Sequence, residues 1–348
     1  MVDGIAWLTG SARGATDAPR PAPSAPGHPG HPSRPSPVSP APPSAPRHRR
    51  RARADQRRPS SNRRQDRLAT INIYVIQSVR TPWAGDGEET RVDHGDGGLV
   101  RVDLADGIAV LTLDDPARRN ALSHRLSLDL ARAVDEALDA DAGAIVLTAT
   151  PPVFCSGGAL DDLLRPDVPL RAMYEGFLRL ADAPVPTIAA VGGPAVGAGL
   201  NLPMACDVVL CSPSAVFDPR FLDVGIHPGG GHLWRLSRLV GAQGAAALVL
   251  LGDRLTGEEA AARGLAWRCV PDDELLGVAR RLGRRAAGRD RELTARTKAS
   301  LRASAALTDP RAALELELAA QQWAVSRPGF AEHVAAIRES LGKRRVAG

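Results

Sequence analysis

Aromatic side chains are scarce in this sequence, at 3% of 348 residues, so a folded core has to be built from aliphatic side chains. Long apolar runs are missing too. None reaches about 18 residues, so no transmembrane helix is expected. Met1 to Gly10 has neither the basic start nor the extended apolar stretch of a secretory signal, and none is expected. Only four cysteines occur, at positions 155, 206, 211 and 269. Their spacing fits neither paired CxxC zinc motifs nor a dense disulfide framework. Reduced thiols and a cytoplasmic setting are therefore expected. No glycine-rich stretch ends in Gly-Lys-Ser/Thr, which excludes P-loop chemistry. There is no GxSxG elbow of the serine-hydrolase type.

Charge is distributed unevenly. The formal net charge is +5, yet residues 1–70 alone hold 13 Arg and 4 Asp, a local +9. The remainder therefore carries −4 and is no general polyanion binder. Residues 1–70 also contain 13 prolines and the run Arg47-His48-Arg49-Arg50-Arg51. Such a segment buries too little apolar surface to offset its ordering entropy, so residues 1–92 are expected to be disordered. A basic arm for nucleic acid or anionic lipid is one reading; a spacer, or translated sequence upstream of the true start, is the other. No aromatic residue interleaves the basic cluster for base stacking, so nucleic acid is not expected as a partner.

Regular patterning starts near Leu99. Ile108 to Leu113 (IAVLTL) reads as a strand closed by Asp114-Asp115-Pro116. Ser123 then opens a helix on which Leu126, Leu130, Val134 and Leu138 recur every four residues. Further strands are expected at Ala144 to Leu147, Thr187 to Val191 and Asp207 to Leu210, with helical patterns between them. This alternation predicts βαβ units and an α/β architecture. Beyond Thr256 the pattern is mainly helical, with apolar stripes over Ala312 to Val325 and Phe330 to Leu341. A core over residues 93–290 and a helical region over 291–348, expected to serve oligomerisation, follow the N-terminal segment.

Three stretches carry chemistry. Phe154-Cys155-Ser156-Gly157-Gly158-Ala159-Leu160 follows a strand and leads into a short helix. Pro194-Ala195-Val196-Gly197-Ala198-Gly199-Leu200-Asn201 does the same. Neither carries the GxGxxG dinucleotide pattern. Small residues at a helix start leave backbone N–H groups without partners. Two such places brought together can hold one oxygen that gains negative charge, which is an oxyanion hole. The alternative is close helix–strand packing, where glycine merely allows approach. The third stretch runs from Phe217 through Asp218, Arg220, Phe221, Asp223 and His227 to the triple glycine 229–231 and His232. It reads as a loop that delivers charged groups to a helix start. His227 and His232 lack a third ligand nearby, so no metal is expected.

Together these motifs resemble the crotonase superfamily, also called enoyl-CoA hydratase/isomerase, from about residue 100 to 344. Asp115-Pro116 with Arg119-Asn120-Ala121-Leu122 resembles the early P-x-x-x-N-A-L signature of that family. Phe154 to Leu160 is similar to its F-C-A-G-x-D-L loop, and Ala189 to Asp207 to its second glycine-rich segment. Leu255 to Ala260 with Gly264-Leu265 is similar to the later T-x-x-E-A-x-x-x-G-L-V segment.

The resemblance implies a spiral of ββα turns, a C-terminal helical region, and a homotrimer or dimer of trimers. It implies an acyl-CoA thioester as substrate, with no separate cofactor. By position, the N–H groups of Gly158 and Ala198 would form the oxyanion hole, with Ala198 in place of a usual glycine. The two glutamates of hydratases fall on Asn201 and Phe221, neither of which transfers a proton as a carboxylate does. The aspartate of the first loop is replaced by Ala159. Ordinary hydration is therefore expected to be poor.

Two groups are candidate proton carriers instead. Asp223 lies two places after Phe221 and would point to the same side in extended backbone. His227 is the residue type that changes charge near neutral pH. Asn201 is a candidate hydrogen-bond donor to a substrate carbonyl, and Phe221 a candidate wall of an acyl pocket. Arg220 is expected either to meet a substrate carboxylate or to pair with Asp218 or Asp223. Ser156, Gly157, Ala159 and Gly197 complete the expected substrate-binding set. A non-catalytic acyl-CoA binder of the same fold is the rival reading.

Overall fold

The computed structural model describes residues 98–164 and 169–346. The segment 1–92 and its expected disorder lie outside the described residues, as do residues 93–97. The first strands, β1 (Val100–Ala105) and β2 (Ile108–Leu113), form an antiparallel hairpin through a tight Asp106-Gly107 turn. Helix α1 (His124–Asp139) follows. The Ser123 side chain caps it by accepting the Leu126 N–H at 3.1 Å. Strands β3 (Ala144–Ala149), β4 (Thr187–Val191), β6 (Val208–Cys211) and β9 (Arg268–Cys269) then add in parallel, in the spatial order β1-β2-β3-β4-β6-β9. A second, smaller sheet joins β5 (Ala195–Val196), β7 (Val216–Asp218) and β8 (Leu255–Thr256).

The large sheet is buried on both faces, and strand periodicity shows how. Ala109, Leu111 and Leu113 of β2, Ile145 and Leu147 of β3, and Ala189 and Val191 of β4 pack into one cluster. Their neighbours Ile108 and Val110, Ala144 and Val146, and Ile188 and Ala190 pack into another. Successive side chains on a strand point to opposite faces, so a strand covered on both sides reads as a continuous apolar run. Leu126, Leu130 and Val134 of α1 cover the first face. Leu275, Val278 and Ala279 of a later helix, described below, cover the second. This mixed α/β arrangement with a helical C-terminal part agrees with the expected fold class. The expected strand at Asp207 to Leu210 is shifted by one residue. Asp207 precedes it, its N–H donating to Thr187 O at 3.0 Å while its carboxylate accepts the N–H (2.9 Å) and the hydroxyl (3.0 Å) of Thr187.

Short helices α2 (Leu160–Leu163), α3 (Glu175–Asp182) and α4 (Asn201–Met204) lie between the central strands. The remaining helices are α5 (His232–Leu250), α6 (Gly257–Ala262), α7 (Leu275–Ala287), α8 (Arg291–Ser304), α9 (Pro310–Ser326) and α10 (Phe330–Val346). The helical stretches expected at Ala312 and Phe330 are α9 and α10, and α9 gains its first turn from the N-cap Asp309 with Pro310 behind it.

One buried cation ties α8 to the sheet. The Lys298 ammonium, 8% exposed, donates to Val185 O at 2.6 Å and meets Asp207 Oδ2 at 2.5 Å. Burial pushes it below the usual lysine range, and Asp207 opposes that shift. Asp207 also meets Arg302 Nη2 at 3.3 Å, so its charge stays compensated without Lys298, and what is lost is the buried charged hydrogen bond to Val185 O. Lys298→Ala is therefore expected to cost about 2 kcal/mol in denaturant unfolding. A loss under about 0.5 kcal/mol, the range of ordinary surface changes, would contradict the tether.

Candidate active site

The two glycine-rich stretches meet through backbone hydrogen bonds. Cys155 N–H donates to Pro194 O at 3.1 Å, and Val196 N–H donates to Cys155 O at 2.9 Å. The first loop is pinned from its other side by Leu122, whose N–H donates to Gly157 O (2.7 Å) and whose carbonyl accepts from Ala159 N–H (3.0 Å). Two glycines are required for this approach. Gly157 has φ +107°, a conformation L side chains rarely adopt. A Cβ on Gly199 would lie 2.6 Å from Cys155 O.

Gly158 and Ala198 face each other as a result. A Cβ placed on Gly158 would stand 3.9 Å from the Ala198 methyl. Among the described residues, the Gly158 N–H donates to no backbone acceptor. Ala198 lies in the first turn of the 3-10 turn Gly197–Leu200, where an N–H has no carbonyl a turn earlier to meet.

These loops form one wall of a cavity of about 270 Å³, which Ser156, Gly157, Gly158, Gly197, Ala198 and Asn201 help to line. Arg220, Phe221 and His227 contribute from the third stretch. The first loop also borders a neighbouring hollow of about 370 Å³, where Ser156 and Gly158 recur beside Arg118, Arg119 and Ala159. Ala159 lines only this second hollow, as the residue before α2.

Asp223 is not brought to the cavity. The extended backbone expected after Phe221 is absent, because Phe221 has helical φ/ψ and Leu222–Val224 forms a 3-10 turn. Two residues on such a turn point in different directions. Phe221 is therefore 6% exposed and lines the cavity, while Asp223 is exposed and lies outside its lining. His227 does line it. Its Nδ1 stands 2.7 Å from Pro228 O, which sets Nδ1 as the protonated nitrogen and leaves the Nε2 lone pair free. Arg220 pairs with the buried Asp218 rather than Asp223, its Nε donating to Oδ2 at 3.0 Å.

Asn201 is held at both ends of its amide. Its Nδ2 donates to Gly229 O at 3.2 Å, so its Oδ1 faces His232 Nδ1 as an acceptor at 3.1 Å. His232 is 1% exposed and packs edge-on against Phe221, with ring centroids 4.8 Å apart. Among the described residues its buried Nε2 has no hydrogen-bond partner. Asn201 and Phe221 are thus linked by one buried histidine. In the sequence His232 stands out only as half of a rejected metal pair, since its partner lies 31 positions away.

Tyr174 was missed altogether. It lines the cavity beside Met173, arriving on the 3-10 turn before α3. The one available signal was rarity, since only two tyrosines occur in the chain.

Burial and the nearby Arg235 guanidinium push His232 down to about 4. Between about pH 6.5 and 4 the unfolded chain therefore binds a proton that the folded chain refuses. The contribution of neutral His232 to stability is complete above pH 6.5 and is lost as pH falls toward 4. The stability advantage of the unaltered chain over His232→Leu should shrink by roughly 3 kcal/mol across that window, measured by denaturant unfolding. A pH-independent difference would contradict this.

The enoyl-CoA hydratase/isomerase family model matches residues 103–339, more than half of the chain. A Mycobacterium tuberculosis protein named "Probable enoyl-CoA hydratase EchA14" is 41% identical over 242 residues, covering 66% of this chain and 94% of that protein. An enoyl-CoA hydratase of Mycobacterium smegmatis superimposes with a TM-score of 0.64 at 27% identity, over 70% of this chain and 96% of that one. A Thermobifida fusca protein crystallised in complex with CoA gives a TM-score of 0.60 at 28% identity, over 66% and 93% of the two chains. This chain belongs to the enoyl-CoA hydratase/isomerase family, the crotonase superfamily that its motifs resemble.

Proposed function

We propose that this chain is an acyl-CoA enzyme that stabilises the enolate of a thioester, with its carbonyl oxygen between the N–H groups of Gly158 and Ala198. The observation that supports the reading is the junction of the two loops, which brings Gly158 and Ala198 together on the lining of one cavity. Each such donor contributes on the order of 3 kcal/mol to a transition state that gathers charge on oxygen. The acyl group then occupies the cavity, and the CoA portion follows the adjoining hollow past Arg118 and Arg119.

His227 is the proton carrier in this reading. Its Nε2 takes a proton from the carbon beside the thioester carbonyl; the electron pair of that C–H bond forms the C=C bond of the enolate, and the carbonyl π pair moves to the oxygen. Hydration is disfavoured because Asn201 and Phe221 provide no carboxylate to activate water.

One observation favours a second reading, an acyl-CoA binder without turnover. Both ends of the Asn201 amide are already occupied by Gly229 and His232, as in a position kept for structure.

Hydrogen exchange separates the two. In deuterated water the enzyme should exchange the α-hydrogens of butyryl-CoA, followed by mass spectrometry. His227→Ala should slow exchange by about a hundredfold, the lower range for general base catalysis. Binding without exchange would overturn the enzymatic reading and leave the binder. Rapid loss of the enoyl absorbance of crotonyl-CoA would show that hydration survives without the glutamates.

A further inference from the structure

Two thiols lie side by side at the edge of the large sheet, and neither lines the cavity. Cys211 ends β6, Cys269 ends the edge strand β9, and the ladder pairs the two residues directly. Paired residues of a parallel ladder point to the same face of the sheet. Neighbouring strands stand about 4.8 Å apart, and a disulfide requires Cα atoms roughly 4.4–6.8 Å apart. The backbone therefore already holds the two cysteines at bonding range. Their sulfurs converge on Gly257, the first residue of α6. Cys211 Sγ stands 3.2 Å from Gly257 O, and a Cβ on Gly257 would lie 3.3 Å from Cys269 Sγ.

The two thiols differ in access. Cys211 is fully buried. Cys269 is partly exposed and lines an open hollow of about 730 Å³ with Pro213, Glu258 and Asp272. Burial pushes both thiols above their ordinary range, but the neighbouring Cys211 thiol draws Cys269 back down. Cys269 is thus the thiol that a reagent in solvent reaches, and the first to ionise. Cys211 can then act only on the sulfur beside it. An accessible cysteine backed by a second one is the arrangement of a reversible disulfide.

We propose that Cys211 and Cys269 form a reversible disulfide that staples β9 to β6 when the chain meets a small-molecule disulfide such as oxidised glutathione. The Cys269 thiolate attacks one sulfur of the oxidant. A new S–S bond forms, the bond within the oxidant breaks, and one glutathione thiolate leaves. Cys211 passes its proton to solvent and attacks the Cys269 sulfur, which releases the second glutathione thiolate. Two protein thiols are oxidised, and one disulfide is reduced to two thiols. Thiols that ionise reluctantly attack slowly, and they are poor leaving groups when the disulfide is reduced again. The staple is therefore slow to form and slow to open, a record of sustained oxidation rather than a rapid sensor.

The test counts free thiols in the full chain. The protein is incubated with oxidised glutathione, denatured and labelled with N-ethylmaleimide, and its intact mass is measured. Before oxidation all four cysteines should take the label. After it only two should, and proteolytic mapping should recover one peptide pair joined through Cys211 and Cys269. Dithiothreitol should restore all four. The stapled chain should melt roughly 5 °C above the reduced one. Cys269→Ser should keep its three remaining thiols free throughout. Should that variant fail to fold, the peptide map of the unaltered chain still decides. Four free thiols after prolonged oxidation, a lasting glutathione adduct on Cys269 alone, or a bond between any other two cysteines would overturn the proposal. So would an oxidised chain whose melting temperature is unchanged. None of these outcomes bears on the site at Gly158 and Ala198.

Discussion

The backbone junction between Cys155 and its partners Pro194 and Val196 is the contact on which the site depends. It consists of two hydrogen bonds between segments about forty residues apart in sequence. Each segment leaves a parallel strand of one sheet, β3 or β4, so the sheet fixes where both loops begin. The junction then fixes where they end, with Gly158 against Ala198. Nothing larger than hydrogen fits at Gly199, where Cys155 O closes the space. Backbone N–H groups held in this way need no reorganisation when charge develops on a bound oxygen, which is the physical advantage of such a site.

Polar groups around the cavity are mostly committed to one another. Asn201 joins Gly229 to His232, and Arg220 joins Asp218. A buried polar group without a partner is costly, and each of these pairings removes such a cost. The same pairings limit the chemistry. A carboxamide at Asn201 and a phenyl ring at Phe221 line the cavity, and the histidine that links them stays neutral because burial opposes its charge. In the proposed reading His227, whose Nδ1 is committed to Pro228 O, is the proton-accepting group of the lining. The site is well furnished for holding a polarised carbonyl and sparsely furnished for moving protons.

The parts legible in the sequence were those set by local rules. Strands β2 and β4 are uninterrupted apolar runs closed by turns, and α1 has both its cap, Ser123, and its stripe of spaced leucines. The two glycine loops were recognisable because their motifs follow strands in family-like order. Asp223 was misplaced because a single 3-10 turn at Leu222 reverses the inference drawn from period-two spacing. Tyr174, Met173 and the Asn201–His232 pair were hidden for a different reason. Their roles depend on segments that meet only when the chain folds, and no local pattern encodes that meeting. Asp207 combines both cases: its strand was nearly placed, while its bond to Lys298, 91 positions away, was not visible.

The central claim is that a thioester carbonyl accepts hydrogen bonds from Gly158 and Ala198. Infrared difference spectroscopy of octanoyl-CoA, labelled with carbon-13 at the carbonyl and bound to the full chain, tests it directly. Two donors polarise the carbonyl, so its stretching band should move to lower frequency than in water. Ala198→Pro deletes one N–H and should return the band part of the way. A bound thioester whose band coincides with that of the free one would contradict the account.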